Sequence, residues 1–317
     1  MARPDFPKTI FEFNEWFPDE AACVKFLIQS RWPDGFICPH CGEQEYWWKE
    51  SRQLLQCKNC GYQASPTAGT VMHRSKQPLR IWFYAAYLVT TLTPGMSALQ
   101  FQRQVGLHNN ETAFTMLHKL RASMVKTGRD RLNGLVEIDE TYIGGEREGK
   151  AGRGAEGKVI VAGAVDIRGD YANRVRLKVI PNVTQTTLNE FVKSNVEEKS
   201  TVKTDDWIGY NKLEKIGYNH ITNPELIHVH RVFSNLKTWL LGTHHGAVRK
   251  QHLQAYLNEF TFRFNRRNTP MAAFQTVLGL TKERLGPTYK GLYGVAKGEL
   301  AWIHPSNPMP KNEPDGS

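Results

Sequence analysis

The chain has 317 residues, 40% of them hydrophobic and 23% charged, an ordinary balance for a soluble globular protein of two or three compact units. No apolar run reaches the roughly 18–20 residues that a membrane span needs, and the opening MARPDFPKTIFEFNEWF lacks the regions of a signal peptide, so a cytoplasmic protein with no membrane partner is expected. The formal net charge of +10 points to a polyanion partner, most simply nucleic acid.

Along the chain, FNEWFPDEAACVKFLIQSRWPDGF reads as a helix with Cys23 as a small buried hydrophobe. It leads into CPHCG and CKNCG, two C-x-x-C pairs with fifteen residues between them. That is the spacing of a zinc ribbon, in which Cys38, Cys41, Cys57 and Cys60 close a structural Zn2+ site with no position left for water. Two disulfides or a redox pair are the alternatives; an intracellular chain disfavours the first and the paired motif the second. EYWWKE and LLQCKNCGYQAS read as the ribbon's strands.

PLRIWFYAAYLVTTL then predicts a buried helix with its stripe at Ile81, Ala85, Leu88 and Leu92. SALQFQRQVGLHNNETAFTMLHKLRASM predicts helix, break at Gly106, helix, with Asn110 as cap and Phe114, Leu117, Leu120 and Met124 as the apolar stripe. This is a helix-turn-helix pattern, or an ordinary helical hairpin. In the first case Thr112, Thr115, His118, Lys119 and Arg121 form the exposed, DNA-facing side.

From Leu135 the pattern turns to strands: LVEIDETYIGG, then a solvated loop EREGKAGRGAEG, then KVIVAGAVDIR and NRVRLKVIPN. A helix, TQTTLNEFVKSNV, follows, and STVKTDDWIGY ends a fourth strand at Asp205 or Asp206. HVHRVFSNLKTWLLG and VRKQHLQAYLNEFTFRFNRR read as two more helices, with His244 and His245 in a loop after the first, and the Pro-rich tail reads as disordered. The expected division is 1–70 for the N-terminal helix and ribbon, 71–133 for the helical region, 134–282 for an α/β domain and 283–317 for the tail.

GLVEIDETYIGG holds three acids. Alternation puts Glu137, Asp139 and Thr141 on one face, and Val136, Ile138, Glu140 and Tyr142 on the other. The pattern alone leaves Glu137 and Asp139 open. The order strand-strand-strand-helix-strand is the ribonuclease-H-like layout, in which the first and fourth strands are neighbours. Asp139 and Asp205 at their ends could then share a hard divalent cation, and two such ions could clamp the attacking and leaving oxygens of a phosphodiester. The alternative is a pair of solvated strand-end acids.

VEIDETYIGG, TDDWIGY, SNLKTWLLGTHHG and HLQAYLNEFTFRFNRR, behind a zinc ribbon, resemble the DDE-type transposases of bacterial insertion sequences, and among them the insertion-sequence family numbered 1595. The resemblance covers roughly Phe11–Asn268. It implies an α/β, ribonuclease-H-like catalytic domain preceded by a zinc ribbon and a helix-turn-helix-like region. It also implies Mg2+-dependent cutting of DNA at the element ends, followed by attack of the exposed 3′-hydroxyl on target DNA. Asp139 and Asp205 become the first two metal ligands, Glu137 a supporting residue and Glu140 no ligand.

Such transposases carry a Glu seven residues before a Lys. Lys237 matches the Lys, but His230 stands at the Glu position and LIHVHRVFSNLK holds no acid. His230 and Asn235 compete; helical geometry puts His230 beside Lys237 and Asn235 well round the cylinder, so His230 is preferred. Glu259 is a rival third acid that could instead pair with Arg263 at i+4. A His ligand suits Mn2+ better than Mg2+. Lys237, Arg263, Arg266 and Arg267 are expected at DNA phosphates, and Lys119 and Arg121 at the element's terminal inverted repeats. The resemblance further implies a homo-oligomer on DNA, in the nucleoid. A catalytically decayed DNA-binding regulator and a nuclease or resolvase without strand transfer are the other readings.

Overall fold

The computed structural model describes residues 6–125, 128–144, 158–246, 248–281, 287 and 292. The expected loop at 146–157 and, but for residues 287 and 292, the expected tail at 283–317 lie outside the described residues.

The N-terminal stretch forms two helices rather than one, α1 (Ile10–Trp16) and α2 (Glu20–Arg31). Pro18 cannot continue α1, and the Asp19 side chain caps α2 by accepting from the Ala22 N–H at 2.9 Å. The ribbon follows as β1 (Tyr46–Lys49), β2 (Leu54–Cys57) and β3 (Gln63–Ala64), an antiparallel sheet in that order. Its core is small: Phe36, Cys38, Leu55, Cys57 and Ala64.

Three helices come next, α3 (Leu79–Thr91), α4 (Ala98–Val105) and α5 (Asn110–Ser123). Asn109, not Asn110, caps α5, accepting from the Thr112 N–H at 2.8 Å. The expected α3 stripe is too narrow: Trp82, Phe83, Ala86 and Val89 are buried as well, while Ile81 is only half-buried. The cause is that α3 packs among α2, α5 and the last described helix, α9 (Pro270–Thr281). One core joins Phe13, Leu27, Phe83, Phe101, Leu117 and Phe274. It therefore draws chain from both sides of the expected 71–133 region.

The second body is a five-stranded sheet of β4 (Leu135–Ile143), β5 (Val159–Arg168), β6 (Tyr171–Ile180), β7 (Thr201–Thr204) and β8 (Asn219–Thr222). The order is β6-β5-β4-β7-β8, with β4, β5 and β6 antiparallel and β7 and β8 parallel to β4. This is the ribonuclease-H-like sheet, with a fifth strand beyond the four expected. One face, with Val136, Ile138, Ala162 and Ala164, packs on α6 (Gln185–Asn195). The other, with Val161, Val165, Val175 and Leu177, packs on α7 (Ile227–His244) and α8 (Leu253–Phe264). An edge strand exposes unpaired backbone groups, and α8 covers those of β6: Gln254 and Asn265 accept from the Val179 and Val175 N–H groups at 2.9 and 2.8 Å. Among the described residues no helix is long and apolar enough to cross a membrane.

Candidate active site and zinc site

The two cysteine knuckles share one geometry. The Gly42 N–H donates to the Cys38 carbonyl and the Gly61 N–H to the Cys57 carbonyl, each glycine at positive φ where a side chain would be strained. The four Sγ atoms lie within 4.8 Å of one another. Cys38 to Cys60 is 3.7 Å and Cys41 to Cys57 3.5 Å, far beyond the ~2.05 Å of a disulfide. Four sulfurs at ~2.3 Å from a tetrahedral zinc stand about 3.8 Å apart, so the donor set fits Zn2+.

In the sheet, β4 and β7 run parallel with Glu137 opposite Lys203. Asp139 and Asp205 each lie two residues beyond that pair, so the two acids stand level on neighbouring strands; Asp139 is in the middle of β4 rather than at the expected strand end, and Asp205 just past the end of β7. β7 ends at Thr204, just before the expected Asp205 or Asp206; Asp205 is half-buried and accepts from the Trp207 N–H at 3.1 Å, while Asp206 is exposed. Burial holds the Asp139 carboxyl above the ordinary carboxylate range, against the pull of the Glu140 N–H and the His230 ring; the Asp205 charge adds to the upward push.

The α7 face of the sheet receives Glu137 and Asp139, as alternation requires. Glu140 lies on the other face, where the buried Tyr210 hydroxyl donates to it at 2.9 Å. Burial, and then the Glu140 charge, hold that phenol well above its usual range. Gly163 stands opposite Asp139 in β5. A Cβ there would lie 2.6 Å from the Phe233 ring of α7, so the glycine lets α7 come down onto the sheet beside Asp139. The His230 Nε2 then lies 3.0 Å from Asp139 Oδ2, with the His230 side chain 62% exposed and that of Asp139 16%. Lys237 and Asn235 are exposed on later turns. Asp205 does not join Asp139 and His230 in a group drawn within 4.8 Å; among the described residues only the four cysteines do so.

Several expected site residues lie elsewhere. Glu259 is fully buried in a pair with Arg121 at 2.6 Å, and Arg263 lies 3.4 Å from the same carboxylate while donating to the Leu92 carbonyl. Glu259 is therefore enclosed and paired rather than open to solvent, and Arg121 and Arg263 direct their charge to it. His118 is buried beside Arg121 against Phe114, His252 and Tyr256. Lys119 is half-buried, its amine 6.0 Å from the Trp82 ring, and burial lowers its pKa. Of the expected DNA-facing side of α5, His118 and Arg121 are instead buried against α8.

Arg266 stacks 4.0 Å over Phe262. Arg267 remains exposed but donates to the Ala172 and Asn173 carbonyls. His244 ends α7 rather than lying in a loop; it packs on Trp239 and Tyr256, and burial brings its pKa down to about 3. Sequence reasoning missed Gly163 and Tyr210; the signal for the former was a lone glycine inside the apolar run VIVAGAV.

Comparison with known proteins follows this anatomy. A transposase zinc-ribbon domain matches residues 18–63 and an ISXO2-like transposase domain residues 131–265. A relative from Halobacterium salinarum, described as an uncharacterized protein in transposable element ISH50, is 28% identical over 281 residues, 78% of this chain and 91% of the relative. Among solved structures, the HTLV-2 integrase catalytic core domain in complex with magnesium is 15% identical with a TM-score of 0.30, over 43% of this chain and 87% of that one. A pre-cleavage Mos1 transpososome is 11% identical with a TM-score of 0.23, over 59% and 74%. Residues 18–63 and 131–265 thus match, in this order, the zinc-ribbon and transposase domains of the IS1595 insertion-sequence transposases.

Proposed function

We propose that Asp139, Asp205 and His230 hold a divalent cation, Mn2+ or Mg2+, and that the protein cuts DNA at element ends and joins the exposed 3′-hydroxyls to target DNA. The observation that carries this is the register: both acids lie two residues beyond the Glu137–Lys203 pair, and α7 brings an imidazole to 3.0 Å from the first of them. Two carboxylates and an imidazole are a donor set for Mn2+ at least as much as for Mg2+. When bound, the ion supplies Lewis-acid polarisation of the phosphodiester and activation of the attacking oxygen.

The chain's own groups prepare this. His230 Nε2 stands at hydrogen-bond distance from Asp139 Oδ2 without metal, so two of the donors already face one another. The half-open setting of Asp205 and the exposed His230 leave room for substrate oxygens. Lys237, on the His230 side of α7, and the exposed Arg267 are the expected cations free to approach phosphate; such contacts position the duplex. The ribbon would read the terminal inverted repeats. Joining two ends requires a homo-oligomer on DNA.

Strand cleavage of element-end DNA by Asp139→Ala and Asp205→Ala tests the reading. Losing several kcal/mol of metal-dependent stabilisation should slow cleavage about 10³-fold or more, while filter binding of the same DNA stays as in wild type. If the wild-type protein binds end DNA but cuts it in neither metal, the protein is a DNA-binding regulator with a decayed core.

A further inference from the structure

The helix that carries His230 starts without a cap of its own. Leu226 occupies the cap position and makes no side-chain bond to the first turn, which leaves N–H donors to be satisfied from elsewhere. They are satisfied from the sheet. Glu137 Oε2 accepts from the His228 N–H at 2.8 Å and the Val229 N–H at 2.9 Å. Its Oε1 faces the His228 Nδ1 at 2.9 Å, and the other ring nitrogen of His228 lies 3.3 Å from the Asp170 carbonyl. Glu137 is 2% exposed. A carboxylate this buried is tolerated when its oxygens are bonded and a positive helix end faces it.

The location of this clamp matters more than its existence. Glu137 precedes Asp139 by two residues on the same face of β4, while His228 and Val229 precede His230 by two and one on α7. The clamp therefore joins the two elements one step from the two donors that must meet. His230 itself is mostly exposed, so packing of its own ring does little to place it. What places it is the position of α7, fixed at its start by Glu137 and farther along by Phe233 over Gly163.

We propose that Glu137 is a positioning residue for metal binding: it sets His230 against Asp139 by capping α7 from the strand that carries Asp139, with His228 as a second latch. The proposal rests on the reading of His230 as a metal-holding residue. Partners behind metal ligands are worth about 10–100-fold in metal affinity when removed. A merely structural cap would lower stability and leave affinity unchanged.

The test is Mn2+ binding to the zinc-loaded full chain, read by electron paramagnetic resonance of the free ion, alongside thermal melting. Glu137→Ala should weaken binding about tenfold or more. Glu137→Gln keeps a carbonyl oxygen for both backbone N–H groups and should restore most of the affinity. Glu137→Ala in a His230→Ala background should weaken binding little beyond His230→Ala alone, because both act on one donor. If Glu137→Ala does not fold, His228→Ala keeps the backbone cap and serves in the same cycle, with a smaller loss expected. Wild-type affinity in a destabilised Glu137→Ala, or in His228→Ala where it replaces it, overturns the proposal and leaves the metal reading standing, as does full additivity with His230→Ala. Unchanged affinity in His230→Ala sinks the metal reading, and the proposal with it.

Discussion

The ribbon and the five-stranded sheet both gather candidate metal-binding side chains, and they do so in opposite ways. In the ribbon, four sulfurs already stand within 4.8 Å of one another around a core of five buried residues. In the sheet, a large apolar core on both faces holds up an unfinished group, one close Asp139–His230 pair with Asp205 beside it. A closed site does structural work and an open one leaves positions for substrate. The ribbon has little core besides its cysteines; the sheet holds the Asp139–His230 pair on a large core of its own.

The largest effect expected from that contrast lies in the ribbon. Its small core cannot stand alone, and structural zinc supplies on the order of 10 kcal/mol of folding free energy in such units. Chelation of zinc, or Cys57→Ser, should therefore unfold the ribbon and abolish end-DNA binding while the sheet's calorimetric transition persists. A single transition lost as a whole would break the comparison.

Glu259 sharpens it from the other side, as an acid that the sequence offered for the open site and the fold uses internally. Removing one partner of a buried ion pair costs about 3–5 kcal/mol. Glu259→Ala should lose that much in denaturant unfolding, because it leaves Arg121 buried without its carboxylate, and the metal dependence of cleavage should stay as in wild type. A changed metal dependence would put Glu259 back in contention as a ligand.

The smallest expected effect is a gain. Burial raises the folded-state pKa of Asp139, so the folded, metal-free protein holds that proton more tightly than the unfolded chain. Its stability is full below the unfolded carboxylate pKa and falls as pH rises through the folded one. Asp139→Asn should raise the melting temperature at pH 7 without divalent ions and change it little in acid. A lowered melting temperature at pH 7 would mean that the bond to His230 outweighs burial.

The two regions also differed in how plainly the sequence spoke. The ribbon was legible because cysteine spacing is a local signal of covalent-scale chemistry. The sheet was legible because strand order is a local pattern that topology then brings together, although Asp139 stands in the middle of β4 and not at the end that its strand was expected to have. What failed was orientation. α5 shows one apolar stripe, yet it is buried on two sides: Leu117 and Leu120 meet the helical core, while His118 and Arg121 meet α8. A charged second face looks solvent-exposed until its partner, Glu259, arrives 138 residues later. Glu137 was hidden for the same reason, since the N–H groups that explain it belong to a helix 91 residues away.

The central claim is that an imidazole, His230, completes the site of Asp139 and Asp205. The most direct measurement is the ratio of end-cleavage rates in Mn2+ and Mg2+, for wild type and His230→Glu. A carboxylate in place of imidazole favours the harder ion, so the wild type should cut at least as fast in Mn2+ as in Mg2+ and the variant should shift toward Mg2+. An unchanged ratio, or strong wild-type cleavage in Mg2+ alone, would contradict it.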